Sequence, residues 1–398
     1  MVTITAERVV PASPADTWYA LTHAWVLRAW LCDHASVVPR QGGRLYLWWH
    51  GGGAVCGECT AVEPDRSLGL EWHGRGESAS GWVQIDLAPD GGGTRVSVRH
   101  DLPEGTAPEL AGRREGEWNE ALGNLAYTLE TGLDRRIQER PLLGIYVAEF
   151  NPNVARSIGV PVTEGMRLEG VTEGLGAAAA GLRRNDVLVE VAGHAIGSDF
   201  SSFVGAMEGK RGGDRVEDAF YRGPELRRVT MELSRRPVPE IPRGAAALAE
   251  AVRARKAEDL AALEKCLDGV DGVDAGAAVR RPADGGWNAT EILAHLVHGE
   301  RGTISYVVEL VGGHERVADD YAGNLDAAVR ATVAAYPTVS ELLDALRRLA
   351  VESGALAAGL PAEFVERTCT YVPAAQQLLD TERHALGHVP QIEAAIRG

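Results

Sequence analysis

Three prolines within six residues divide this chain into parts with different residue patterns. Pro237, Pro239 and Pro242 lie in the segment 235–242. Because proline fixes its own φ and lacks an N–H, such a segment favours an extended linker of polyproline character. Short strand-like runs separated by glycine-rich turns precede it, whereas long runs with helical periodicity follow it. The sequence therefore predicts a domain boundary at this linker.

The length, charge and cysteine content narrow the class of protein. The 398 residues suggest two to four domains, since a domain has roughly 100–200 residues. A formal net charge of −16 argues against nucleic acid and anionic membrane surfaces as partners, because both need a basic footprint. No apolar stretch reaches the roughly 20 residues of a membrane span, and the first residues lack a secretory-signal pattern. Five cysteines, an odd number, favour a reducing environment, so we expect a cytoplasmic protein.

The residue pattern of segment 1–135 predicts a strand, two short helices, a run of strands and one long helix. The sequence Asp90-Gly91-Gly92-Gly93 between two strand candidates is typical of a hairpin turn. Further on, apolar side chains recur at helical spacing and form one stripe: Trp118, Leu122, Leu125, Ala126 and Leu129. Gly132 follows this stripe as the predicted end of the helix.

Ten positions of this N-terminal pattern are informative: Pro14, Trp18, Leu21, Thr22, Trp30, Gly42, Gly43, Gly57, Trp118 and Leu122. With these residues the pattern resembles the AHSA-type branch of the START-like (SRPBCC) superfamily. It implies a helix-grip fold, in which a curved antiparallel sheet wraps around the C-terminal helix and leaves a cavity for an apolar or amphipathic small molecule. Five tryptophans are expected to line that cavity: Trp30, Trp48, Trp72, Trp82 and Trp118. The alternative is that they only pack the core, as aromatic side chains commonly do.

Residues 138–236 contain two notable runs, PLLGI at 141–145 and GLRRNDVLVEVAGHAI at 181–196. Together these runs resemble a PDZ domain of the bacterial type. The resemblance implies a loop whose backbone N–H groups receive the C-terminal carboxylate of a peptide, which then adds as a strand. The loop residues are Leu142, Leu143, Gly144 and Ile145. Leu142 stands where glycine is common, so a degenerate domain that serves as a spacer is the alternative.

Residues 244–398 carry helical periodicity almost throughout. Two capping boxes, one at 288–291 and one at 338–341, predict where two helices begin. The expected helices are 246–267, 288–311, 325–335, 339–358 and 373–397.

Two motifs in this helical part, WNATEILAHL at 287–296 and HALGHVPQI at 384–392, resemble the DinB/YfiT superfamily. The resemblance implies a four-helix bundle with a divalent metal site made of three histidines, one from the second helix and two from the last. The matching residues are His295, His384 and His388. The predicted fold class is therefore multidomain α+β and all-α: a helix-grip domain, a PDZ-type β-sandwich or barrel, and a four-helix bundle.

The spacing of these histidines agrees with such a site. His384 and His388 are four residues apart, so on a helix both rings project from one face. His295 lies on the apolar face of a strongly periodic helix, so it is expected to point into the bundle. Two alternatives stay open: a chance pair of histidines on a solvated face, or His298 as the third ligand.

The ligand set constrains the metal. Three neutral imidazoles leave coordination positions open for water or substrate, which is the pattern of catalytic sites. Zinc or nickel suits three nitrogen ligands, and iron or manganese is the alternative. Gln391 or Glu300 is expected to orient a ligand histidine through a hydrogen bond.

Two functions fit this set of domains. The first is a cytoplasmic binding protein that combines a pocket for an apolar small molecule, a peptide groove and a divalent-metal site. The second is a metal-dependent enzyme, a thiol transferase or an isomerase or hydrolase, as the DinB resemblance implies, with the other domains recruiting partners. Because only one domain carries candidate chemistry, binding is preferred here and no catalytic residue is assigned. A protease is rejected, because no serine-protease motif precedes the PDZ-like region.

Overall fold

The chain divides into two compact units. The computed structural model describes residues 2–270, 275–280, 286–314, 325–380 and 383–397. The first unit combines Met1–Asp134 with Pro239–Gly398, and the second is Arg135–Val238. None of the described helices combines the length and the apolar character that crossing a bilayer requires. The division into three separately folding domains, 1–135, 138–236 and 244–398, stays a prediction.

The N-terminal part of the first unit is a helix-grip α+β fold. Its strands are β1 Val2–Val10, β2 His34–Val37, β3 Arg44–Trp48, β4 Ala54–Glu63, β5 Ser67–Gly74, β6 Gly81–Asp90 and β7 Gly93–Leu102. They form one sheet of order β1-β7-β6-β5-β4-β3-β2, and all neighbours are antiparallel. The helices are α1 Pro14–Thr22, α2 Ala24–Trp30 and α3 Pro108–Thr131. Buried and exposed residues alternate along β6 and β7, so one face of the sheet forms the core.

Local residue chemistry explains where these elements begin and end. Gly91 and Gly92 adopt φ of 58° and 91° and close the β6–β7 hairpin. Ser13 caps α1 by accepting a hydrogen bond from the backbone N–H of Asp16 at 3.1 Å. Gly132 ends α3 in the left-handed region, as the sequence predicts. A side chain on Gly132 would also collide with Val372.

The middle unit is a small antiparallel sheet with short helices. Its strands are β8 Ile145–Ala148, β9 Met166–Val171, β10 Val187–Val191, β11 His194–Ala195, β12 Arg215–Arg222 and β13 Glu225–Glu232. The order is β13-β12-β10-β9-β8, and β11 pairs with β10. The helices are α4 Arg135–Gln138, α5 Pro152–Ile158, α6 Gly176–Ala179 and α7 Phe200–Ala206. The PDZ interpretation of this sheet stays a prediction.

The C-terminal part of the first unit is helical. Its helices are α8 Ala245–Cys266, α9 Ala275–Val279, α10 Ala289–Val311, α11 Leu325–Ala335, α12 Val339–Ala358, α13 Ala362–Glu366, α14 Thr368–Leu379, α15 His384–Gly387 and α16 Val389–Arg397. Both predicted capping boxes form, at the starts of α10 and α12. The core of this part consists of two clusters of buried, mostly aliphatic residues.

The predicted single helix 373–397 is wrong. The structure instead has α14, which begins earlier, followed by α15 and α16. Asp380 ends α14 with φ 46°, and Arg383 also adopts a positive φ, so neither residue continues a right-handed helix. Pro390 is the second residue of α16, where its missing N–H costs no helical hydrogen bond.

Helix α14 joins the two parts of the first unit. Cys369 is buried in the same core as the sheet and α3. Trp25 packs against the cores of both parts. Arg367 bonds to Asp16 at 3.1 Å and lies over the ring of Tyr19 at 4.0 Å from its centroid. These contacts hold two segments that are far apart in sequence together as one unit.

Candidate metal centre

The three candidate metal ligands come from two places in the helical part. His295 lies in the second turn of α10, whose start is set by the capping box at Asn288. His384 is the first residue of α15, and His388 directly follows that helix. The carboxylate of Asp380 accepts hydrogen bonds from the backbone N–H of His384 at 3.0 Å and from that of the next residue at 3.4 Å. This contact fixes the short helix that presents His384.

The ring nitrogens of these histidines converge. Nε2 of His384 lies 3.1 Å from Nε2 of His295 and 3.0 Å from Nε2 of His388. One nitrogen from each ring can be chosen so that all three lie within 4.8 Å of one another. Nitrogens bound to one ion at about 2.0–2.1 Å in tetrahedral geometry lie roughly 3.3–3.4 Å apart. The group could therefore hold a metal ion after small side-chain adjustments.

Hydrogen bonds between the three rings cannot account for both short contacts between their Nε2 atoms. A ring nitrogen carries either one N–H or one in-plane lone pair, so Nε2 of His384 can share a proton with only one neighbour. The Nδ1–H of His388 donates to Oε1 of Gln391 at 2.7 Å, which leaves Nε2 of a neutral His388 as a lone pair. Without a cation, one of the two short contacts between ring nitrogens therefore has no proton available to form a hydrogen bond. Three Nε2 lone pairs directed at one ion would resolve both short contacts, whereas the buried Nδ1 of His295 has no hydrogen-bond partner among the described residues.

The surroundings of the rings keep two of them neutral. Burial lowers the pKa of His295 to about 4, and the charges of the nearby histidines act in the same direction. Burial also lowers the pKa of His388, against the opposing effect of its hydrogen bond to Gln391. Metal ligation requires the neutral imidazole, so both shifts favour a ligand role.

The other residues predicted for this site have different outcomes. Gln391 contacts His388, as expected of an orienting residue. Glu300 instead pairs with Lys256 of α8, and among the described residues it bonds to no histidine. The alternative ligand His298 lies outside the converging group. Trp287 packs beside His295, with ring centroids 5.1 Å apart.

A cavity of about 380 Å³ lies beside His384. Charged and amide side chains line part of it: Lys256, Asp259, Glu300, Gln376 and Asp380. Asp259 bonds to Arg383 at 3.0 Å, and burial raises the pKa of the Asp259 carboxyl although the nearby cations oppose this. The histidine centre therefore borders a space large enough for a small molecule.

The charged residues Lys256 and Asp259 were not predicted from the sequence. Both lie on the buried face of α8, at positions that continue the helical spacing of Val252 and Leu263. Charges that occupy the apolar stripe of a helix are unusual, because burying them requires partners. Two charged residues within the apolar stripe of α8 are thus the sequence feature from which this polar cluster could have been predicted.

The five predicted pocket tryptophans occupy two environments. Trp30, Trp72 and Trp118 are buried between the sheet and α3, where the remaining space is about 20 Å³. Trp82 alternates with two buried neighbours on β6, so it points away from that core and is 47% exposed. Trp48 lies beside the rings of His34 and His50, outside the lining of this space. The prediction that these last two line the interior therefore does not match their positions.

The predicted peptide loop of the middle unit is partly occupied by internal hydrogen bonds. The backbone N–H of Leu142 donates to the carbonyl of Ser234 at 2.9 Å, so it is not available to a carboxylate, contrary to expectation. Among the described residues, the N–H groups of Leu143 and Gly144 have no acceptor. Gly144 adopts φ 76°, and a side chain there would meet Leu175. Ile145 begins the edge strand β8.

Two family models match separate parts of the chain. Residues 11–130 match the family described as Activator of Hsp90 ATPase homolog 1-like protein, and residues 258–391 match the DinB superfamily. The chain thus has an AHSA1-type (SRPBCC) domain at the N-terminus and a DinB-type domain at the C-terminus. No curated protein matches it.

Several solved structures are similar to the N-terminal third. Protein MLL2253 from Mesorhizobium loti is 24% identical over 32% of this chain and 97% of its own, with a TM-score of 0.30. The Aha1 dimer from Colwellia psychrerythraea is 21% identical over 33% of this chain and 97% of its own, with a TM-score of 0.30. PFC0360w, an HSP90 activator from Plasmodium falciparum, is 19% identical over 33% of this chain and 97% of its own, with a TM-score of 0.29.

Proposed function

We propose that this chain is a metal-dependent enzyme. Its DinB-type domain binds one divalent ion through His295, His384 and His388 and presents it to a small molecule in the adjoining cavity. The convergence of three ring nitrogens within 4.8 Å is the observation that carries this proposal. The cavity beside His384 favours catalysis over a purely structural ion, because structural sites are closed by four protein ligands.

The ligand set favours zinc or nickel, with iron or manganese as the alternative. When bound, such an ion acts as a Lewis acid and lowers the pKa of a coordinated thiol or water. The chain's own residues supply orientation. Gln391 holds the ring of His388, and Asp380 holds the helix start that carries His384. Transfer or isomerisation with a low-molecular-weight thiol is the reaction class that the DinB resemblance implies.

Elemental analysis and metal titration of protein without a histidine tag test this proposal. We expect one divalent ion per chain. Each of His295→Ala, His384→Ala and His388→Ala should weaken binding at least about 100-fold, because one of three ligands is lost. His298→Ala is the matched control on the same helix and should bind like the unaltered chain. Tight binding that survives all three alanine substitutions would rule out the site.

A peptide groove in the middle unit is a second proposed function. Strand β8 is an edge strand, with Tyr146 59% exposed and Val147 46% exposed. Helix α7 exposes Phe200 and Val204, and both elements contribute to the same core. An exposed strand edge can accept a peptide as an added strand, and exposed apolar side chains of the same unit can contact the side chains of such a peptide. Peptides with a free C-terminal carboxylate should bind more tightly than their amides, and equal binding would contradict this role.

The N-terminal domain is proposed to bind an apolar small molecule. The support is its match to an AHSA1-type family. Because the space between the sheet and α3 is only about 20 Å³, a ligand has to displace buried tryptophans such as Trp72. Binding of an apolar ligand should therefore change tryptophan fluorescence.

A further inference from the structure

The cavity beside His384 has an unusual polar lining. Two carboxylates, that of the buried Asp259 and that of the half-buried Glu300, face it together with one ammonium group, that of Lys256. Lys256 pairs with Glu300, and Arg383 pairs with Asp259. The cavity thus borders two internal ion pairs in a helical part whose core is otherwise mainly apolar, although Arg383 is not itself a lining residue.

One oxygen of each of these two carboxylates lacks a hydrogen-bond donor within the part of the chain that the structure describes. Oδ2 of Asp259 and Oε2 of Glu300 are buried and have no hydrogen-bond partner among the described residues. The side chain of Asp259 is only 3% exposed. A buried acceptor without a donor is costly, and a carboxylate can accept several hydrogen bonds at once. The cavity therefore contains more acceptor capacity than its own residues use.

The charge of the side chains around the cavity also favours a ligand that donates hydrogen bonds and carries a positive charge. Asp380 adds a third carboxylate, whose oxygens accept the backbone N–H groups at the start of α15. Lys256 and Arg383 offset two of the three carboxylates, so the side chains around the cavity keep one excess negative charge. A protonated amine supplies three N–H donors and no acceptor, so it matches both the charge and the unused oxygens.

We propose that this cavity binds a small molecule through a protonated amino group at Asp259 and Glu300, while another atom of that molecule reaches the ion held by His384. This inference rests on the proposed function and specifies the substrate class as amine-bearing. The amino group forms charge-assisted hydrogen bonds with the carboxylates and sets the orientation of the ligand toward the ion.

The test uses the full chain loaded with Co²⁺ and three small thiols as probes. Cysteamine carries an ammonium group, 2-mercaptoethanol carries a hydroxyl group in its place, and 3-mercaptopropionate carries a carboxylate. Thiolate binding to Co²⁺ gives a charge-transfer absorption band that can be titrated. The double variant Lys256→Met with Glu300→Gln removes an ion pair as a unit, so no buried charge loses its partner. The cysteamine preference of a chain is its affinity for cysteamine divided by its affinity for 2-mercaptoethanol. The two thiols differ in acidity, but each has the same acidity with both chains. Dividing the preference of the unaltered chain by that of the double variant therefore removes this difference.

We expect the preference for cysteamine over 2-mercaptoethanol to fall at least tenfold in the double variant, with Co²⁺ affinity unchanged. Glu264→Gln is the control, because this exposed carboxylate lies on the same helix but outside the cavity lining. Equal preferences in the unaltered chain and the double variant, or a preference for 3-mercaptopropionate, would overturn the inference and leave the metal site intact. Failure of Co²⁺ to bind the histidines would overturn the proposed function, and this inference with it.

Discussion

His100 is a buried histidine whose protonation is coupled to folding of the N-terminal domain. Its ring is 1% exposed, and its Nδ1 accepts the indole N–H of Trp118 at 3.2 Å. Burial lowers the pKa of His100 to about 4, and the charge of Arg114 adds to this effect. The unfolded chain therefore binds a proton near pH 6.5 that the folded chain takes up only near pH 4.

Acid should accordingly destabilise the first unit. As the pH falls from about 6.5 to about 4, the free energy of unfolding should decrease by up to about 3 kcal/mol through His100. Urea unfolding followed by tryptophan fluorescence measures this, since all nine tryptophans lie outside 135–238. His100→Asn should flatten the pH dependence, whereas the same change at the exposed His50 should not. An unchanged slope in His100→Asn would show that other groups control acid stability.

At the scale of elements, α16 orients one of the candidate metal ligands through a hydrogen bond. Gln391 accepts the Nδ1–H of His388. Gln391→Ala should weaken metal binding about 10–100-fold, as expected when an orienting hydrogen bond is lost. Gln391→Glu should retain binding, because a carboxylate accepts the same bond. Glu393→Ala, on the same helix and paired with Arg397, is the control. Equal affinities in the alanine variants at 391 and 393 would contradict this role.

The elements show which parts of the structure are readable from sequence. Both capping boxes form as predicted, because the interacting residues are only three positions apart. The break between α14 and α16 was missed, since apolar periodicity continues through it while Asp380 changes the backbone direction. The pairing of Glu300 with Lys256 was also missed, because their helices are distant in sequence. Long-range contacts of this kind leave no periodic signal.

For the whole molecule, the main feature is that the first unit is built from both ends of the chain. Within the second unit, the entering and leaving segments lie together, since Nε2 of Gln138 donates to the carbonyl of Arg236 at 2.8 Å. A chain in which a short glycine-serine linker replaces 135–238 should therefore fold. Its unfolding midpoint, read from tryptophan fluorescence, should lie within about 4 °C of the full chain.

The fragment 1–134 alone is the informative comparison. It should be less stable, because it loses the packing of α14, including Cys369, against its core. A fragment as stable as the full first unit would favour the separately folding domains predicted from the sequence. Limited proteolysis at 133–140 and 235–243 would then cut before any other region.

X-ray absorption spectroscopy of the zinc-loaded full chain tests the central claim most directly, since it reports the ligands around the ion. We predict three imidazole nitrogens at about 2.0–2.1 Å, and two in His384→Ala. A shell containing sulfur, or one without imidazole scattering, would contradict a centre built from His295, His384 and His388.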